Sequence, residues 1–185
     1  MKERPIIFGA NSVKAILELR KTQTRRVVKE ELHRPRYNNI VYQGKHGWED
    51  EHGRRLLNLY GEPGNGLWVR ETWAHNKDKS QLWYRADYPC TIPMYATKLF
   101  GGTGWRSPMY MPRWASRITL EITDVRVEQL HDITFRDLQA EGMQGEFTEA
   151  VKNYMLLWDS LNAKRGYPWS SNPWCWVIEF RKETP

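Results

Sequence analysis

Cysteine is almost missing: the 185 residues hold only Cys90 and Cys175, far apart and with no spacing partner. A disulfide framework is not expected, and the composition suits a reduced, cytoplasmic setting. Long apolar runs are missing too. No segment approaches the ~20 apolar residues of a membrane span, and no N-terminal run resembles a signal peptide, so no membrane partner is expected. His33, His46, His52, His75 and His131 form no HExxH, sit beside no C-x-x-C and make no i,i+4 pair. The zinc-deaminase pattern fails because no second cysteine follows Pro89-Cys90 at the required spacing. No metal site is expected. G-x-G-x-x-G and P-loop signatures are lacking, which removes support for NAD and ATP, and no cofactor is expected. Nor is there a G-x-S-x-G elbow, which leaves Lys, Thr and carboxylates as the candidates for chemistry.

What is present is charge and aromatic surface. The formal charge is +6, which suits an anionic or nucleotide-like partner. The excess is local: Met1 to Arg36 carries ten Lys/Arg against four Asp/Glu, a net of +6. Ten Trp and nine Tyr fit either an aromatic core or a pocket where flat rings stack on a base.

The pattern predicts a single α+β domain over 1–185. "RPIIF" reads as a first strand, and Ser12 is placed to cap a helix carrying Val13, Ile16 and Leu17. That helix should end near Lys21, where Thr22, Gln23 and Thr24 favour extended backbone. Residues 29–66 and 75–114 read as loop-rich insertions, separated by a strand in "LWVRETWA". In "SRITLEITDVRVEQL" the alternation of Ile118, Leu120 and Ile122 changes phase before Val125 and Val127, predicting a β-bulge at Thr123 or Asp124. "TFRDLQAEGM" has a capping-box pattern, Thr134 then Asp137, and Gly142 as a stop. Phe147, Val151, Tyr154, Trp158 and Leu161 predict the core-facing stripe of a longer helix. Trp174, Trp176, Ile178 and Phe180 alternate as in a closing strand.

"LRKTQTRR", Leu19 to Arg26, is the densest cationic segment. One reading is a solvated helix end, where basic residues suit the dipole. The other is chemical. Arg20, Arg25 and Arg26 favour the neutral form of Lys21, as burial would. A neutral Lys21 could take the proton of Thr24 and make it a nucleophile. Thr22, Thr24 and Arg26 would share one face of an extended segment, leaving Arg26 free to hold an anionic or carbonyl group.

"IIFGANSVKAILELRKTQTRR" resembles the opening of the ASCH-domain family, PUA-like mixed barrels whose first helix ends in G-R-K-T-x-T-x-R. Within it, the small bacterial amidohydrolases that deacetylate N(4)-acetylcytidine are the nearest likeness. Phe8, Ile16, Leu17, Arg20, Lys21, Thr22, Thr24 and Arg26 stand where that pattern wants them. Leu19 replaces the family's Gly, a departure read as affecting a helix position. "ITFRDLQAEGM" resembles the helix bearing the family's catalytic Glu, and "WVIEF" its closing strand. The likeness covers about half the chain. "LWVRETWA", "MPRWASRITLEI" and "LWDSLNAKRGY" look like the longer ASCH proteins of phages and prophages.

The resemblance implies a cofactor-free hydrolase of N(4)-acylated cytosine nucleosides with Lys21, Thr24 and Glu141 as its catalytic set. Phe8 and Arg26 would contact substrate, and Arg70, Glu71, Trp73, Tyr110 and Arg113 would line the pocket. Arg70 and Glu71 also fit a structural ion pair, and Trp105 and Trp114 could add stacking walls. A PUA-like RNA-binding module and an ASCH-type ribonuclease are the alternatives, with RNA as partner in place of a small-molecule substrate.

Overall fold

The computed structural model describes residues 2–28, 42–44, 47–49, 58–88, 91, 93–98 and 101–183. The first apolar run forms β1 (Glu3–Ile7), followed by α1 (Ala10–Leu17), which buries Val13, Ala15 and Ile16. Ser12 does not cap it. Gly9 is the N-cap and its carbonyl accepts from the Val13 N–H at 3.0 Å, so Ser12 lies within the first turn. The chain then extends into β2 (Gln23–Val27). Of the segment 29–66, the described part holds a hairpin, β3 (Tyr42–Gly44) with β4 (Gly47–Glu49), and the "GEPGNG" turn. His33, His46, His52 and Cys90 lie outside the described residues.

"LWVRETWA" is two strands, β5 (Gly66–Arg70) and β6 (Trp73–His75). The break falls at Glu71 because β5 pairs with the main sheet, while β6 leaves for a separate ladder with β7 (Leu82–Tyr84). Short 3-10 turns, at Pro108–Tyr110 and Arg113–Ala115 among others, lead into β8 (Thr119–Gln129). The register of β8 shifts between Ile122 and Asp124. The extra residue restores the inward phase, so Leu120, Ile122 and Val127 join one core.

In α2 (Phe135–Ala140) the capping box is complete. The Asp137 N–H donates to Thr134 Oγ1 at 3.2 Å, and the Thr134 N–H donates to Asp137 Oδ2 at 2.9 Å. The stripe expected on α3 (Phe147–Asn162) is rotated. Ala150, Tyr154 and Trp158 are buried, whereas Phe147 and Leu161 are exposed. The inward side is centred on an i, i+4, i+8 line, and Phe147 instead packs edge-to-face on Phe135.

The closing strand β9 (Trp174–Lys182) explains how two cores coexist. The main sheet runs β1-β5-β8-β9-β2, with β1 and β5 parallel and the other pairs antiparallel. On one face of β9, Trp176, Ile178 and Phe180 pack with Ile6, Phe8, Val13 and Leu120. On the other, Cys175 packs with Leu138, Tyr154 and Trp158 of the helices. Cys175–Ile178 is therefore covered on both sides, beyond the one-face alternation expected. Arg26 of β2 donates from Nη2 to the Ile7 carbonyl of β1 at 2.9 Å, so the two ends of the sheet order meet. The molecule is α+β, a curled mixed sheet with flanking helices. No helix among the described residues is long and apolar enough to cross a membrane.

Candidate functional site: two helix ends and a buried Lys–Glu pair

Both α1 and α2 end in the same hydrogen-bonded stop. At α1 the Leu19 N–H donates to the Ile16 carbonyl and the Arg20 N–H to Ala15. At α2 the Gly142 N–H donates to Gln139 and the Met143 N–H to Leu138. This is the Schellman pattern, which places one residue in left-handed backbone. That residue is Gly142 (φ +89°) in α2 and Leu19 (φ +59°) in α1. Leu19 thus occupies the turn beyond the helix, which corrects its reading as a helix position. Glycine suits such a site, since a side chain there crowds the following carbonyl.

The two stops abut. A Cβ on Gly142 would lie 3.1 Å from Ala15 Cβ and 3.3 Å from Lys21 Cβ. The Thr22 N–H donates to the Ala140 carbonyl at 2.8 Å, and Lys21 pairs with Glu141 as an isolated β-bridge. Residues 120 positions apart are thereby held side by side. Lys21 Nζ donates to Glu141 Oε2 at 2.5 Å and to the Glu141 carbonyl at 2.9 Å. Both side chains are only 4 % exposed. The ammonium offsets the negative end of α2 as well as the carboxylate. Burial pushes the Lys21 ammonium below its usual range; Glu141 opposes this, and Arg26 and Arg25 add to it.

Strand β2 sorts its side chains by parity. Thr24 pairs across the ladder with Ile178 and Arg26 with Trp176, so both face the sheet core. Thr24 is buried, and Arg26 Nη1 donates to its Oγ1 at 2.7 Å. Arg26 also donates to the Arg25 and Ile7 carbonyls, and its guanidinium lies 5.0 Å from the Phe8 ring centre. Arg26 shares a face with Thr24 as expected, but it does not stand free, since three of its N–H contacts go to Thr24 and to the Arg25 and Ile7 carbonyls. The buried Phe8 ring also lies 5.9 Å from Lys21 Nζ. No hydrogen bond joins Lys21 to Thr24 among the described residues.

Arg25 points the other way, toward α2, and its side chain is 0 % exposed. Its Nη2 donates to Glu128 Oε2 at 2.8 Å and lies 3.4 Å from Asp137 Oδ2. Asp137 also receives Arg126 Nη2 at 2.9 Å. Burial raises the Asp137 carboxyl, but the Thr134 hydroxyl and N–H, with Arg25 and Arg126, hold it below its ordinary value. Sequence reasoning treated Arg25 as background charge. Nothing in the periodicity marks a buried Arg; the signal available was the set of carboxylates that the capping box and β8 bring opposite it.

A cleft of about 540 Å³ opens beside Glu141, between the start of α1 and the side of α3. Asn11, Ser12, Arg20 and Asn153 supply polar walls, and Leu157 and Leu161 an apolar one. Thr24, Phe8 and Arg26 do not line it, nor do the five residues expected from the later segments. Glu71 pairs with Arg117 at 2.9 Å, so the Arg70–Glu71 ion pair is not formed. Arg70 instead lies 4.6 Å from the Trp68 ring centre. Trp73 is buried in a satellite core with Met111 and Ala115. Tyr110 is exposed, and Arg113 donates to Glu3 at 2.7 Å. Trp105 flanks a second satellite core, and Trp114 is half exposed.

No protein-family model and no curated protein matches the chain. Among solved structures, the ASCH domain from Lactobacillus crispatus JV V101 is similar, with 10 % identity and a TM-score of 0.49, over 98 % of this chain and 79 % of that one. The α+β class rests on the strands and helices described above and not on this likeness.

Proposed function

We propose that the protein is a cofactor-free amidohydrolase that cleaves the exocyclic amide of N(4)-acylated cytosine nucleosides, such as N(4)-acetylcytidine, to cytidine and a carboxylic acid. The observation that carries this reading is the buried pair, Lys21 Nζ on Glu141 Oε2 at 2.5 Å, beside a cleft. Together with Thr24, these are the residues that the ASCH likeness names for the chemistry. A lysine whose ammonium is disfavoured by burial can act as a base at moderate pH.

Two routes use these residues. In one, Thr24 attacks the acyl carbon while Lys21 takes its proton, and Glu141 protonates the departing cytosine amine as the C–N bond breaks. Water then hydrolyses the Thr24 ester to the carboxylic acid. In the other, water attacks, Glu141 takes a proton from it, and the same proton passes to the departing cytosine amine as the C–N bond breaks. Glu141 borders the cleft, while the Thr24 hydroxyl is buried and accepts from Arg26. The test is incubation of purified protein with N(4)-acetylcytidine, followed by chromatography for cytidine.

A second reading, RNA binding, draws on a different surface. Tyr110 and Trp114 are exposed, and Lys79 Nζ lies 5.8 Å from the Trp114 ring centre. Stacked rings beside cations suit single-stranded RNA. Tight binding that weakens steeply with salt, without deacylation of any acylcytidine, would favour it.

A further inference from the structure

Arg25 is the one member of the cationic segment whose guanidinium is wholly buried on the helix side of the sheet. Its Nη1 lies 4.0 Å from Glu141 Oε1, the oxygen that Lys21 does not bond. Among the described residues neither atom has a hydrogen-bond partner, so this carboxylate faces two cations, one on each oxygen. The cations differ in kind. Arginine stays protonated at any working pH, whereas a buried lysine does not have to.

We propose that Arg25 is a positioning residue of the site: it serves as the permanent counter-charge of Glu141, so that Lys21 is released from that duty and can act as a proton acceptor. This rests on the reading of Lys21 as a base given above. Without Arg25, Lys21 would be the one cation left in an ion pair with this buried carboxylate among the described residues, and giving up its proton would strand that charge. With Arg25 in place, the ammonium form of Lys21 is also repelled from the same side.

The surrounding charges do not duplicate this role. From β2, Arg26 also disfavours the Lys21 ammonium, but it bonds Thr24 and the Arg25 and Ile7 carbonyls and makes no ion pair with Glu141, which Arg25 approaches. From β8, Glu128 and Arg126, and from α2, Asp137, lie beyond Arg25. Tyr154 of α3 and Cys175 of β9 feel the Glu141 charge, and burial holds both in their neutral forms. Arg20 is turned outward, donating to Glu18 and to the Gly142 carbonyl.

The test follows Lys21 itself in the ligand-free protein. The side-chain carbon and nitrogen resonances of Lys21 are assigned by their loss in Lys21→Arg and then titrated by NMR. Arg25→Gln should move the Lys21 midpoint upward by about one pH unit or more, the size of a full charge removed from a nearby partly buried site. Arg25→Gln leaves Glu128 with Arg126 alone as its cation among the described residues and could fail to fold. The double variant Arg25→Gln/Glu128→Gln removes a matched pair and keeps the measurement possible. If Arg25 served only to neutralise Glu128, the double variant would titrate like the parent, and that result overturns the proposal. An upward shift supports it, whether or not any substrate is turned over. If the deacylase reading also holds, the acid limb of kcat/KM moves to higher pH by the same amount. A shift in the NMR titration without activity would retain the role of Arg25 and discard the substrate.

Discussion

At the scale of single residues, Leu19 and Lys21 make opposite kinds of statement. Leu19 sits in left-handed backbone and is 69 % exposed, so its side chain gains little from packing. The strain of a side chain there is ~1–2 kcal/mol, and glycine gives back roughly 0.4–1 kcal/mol through the unfolded chain. Leu19→Gly should therefore stabilise the protein by about 0.5–1 kcal/mol in denaturant unfolding, and equal or lower stability would contradict the backbone assignment. Lys21 is held where its charged form is penalised. Its folded value is depressed below 10.5, so the unfolded chain binds the extra proton between the two values. Stability relative to Lys21→Met should thus rise with pH through that window and level off above the unfolded value. Parent and variant curves that run parallel would show an unperturbed lysine. If Lys21 is the base of the Thr24 route, Lys21→Arg should lose turnover, because the guanidinium cannot accept a proton; near-parent rates would reduce the position to charge alone.

At the scale of elements, α2 is the part that positions Glu141. It has six residues, held at its start by the Thr134–Asp137 box and at its end by Gly142, with Glu141 between helix and turn. A helix this short has little stability of its own, so both ends have to be fixed by contacts. Thr134→Ala removes the Oγ1 acceptor of the Asp137 N–H and should cost about 1 kcal/mol in thermal or denaturant unfolding. It also loosens Asp137, one of the groups ordering Arg25, so turnover should fall more than stability alone explains. An unchanged rate would detach α2 geometry from the site. These ends were legible in the sequence because caps and glycine stops are local chemistry, and the β8 bulge was legible because a phase change has one local remedy. The face of α3 was not, because Ala150 and Val151 both fit a helical stripe and packing against α2 and β9 chose between them. Arg25 was invisible for the same reason, since its burial depends on carboxylates that arrive from β8 and α2.

At the scale of the whole molecule, the sheet order puts β9 between β8 and β2, with one core on each face. The later aromatic segments carry their own satellite cores around Trp73 and Trp83 and lie away from the Glu141 cleft. Their strand-and-turn content could be read from composition, but their placement could not. What the fold achieves is the meeting of two distant helix ends, and the central claim is that this meeting breaks an amide. The direct measurement is release of cytidine from N(4)-acetylcytidine by the parent and by Glu141→Gln, each with chelator present. The substitution keeps the size of the side chain and removes its proton transfer, and such groups contribute about 10²–10⁴-fold. The parent should turn over with chelator present, and kcat should fall by roughly that order in Glu141→Gln, with the fold intact. Equal turnover by the two proteins, or none by a folded parent, would contradict it.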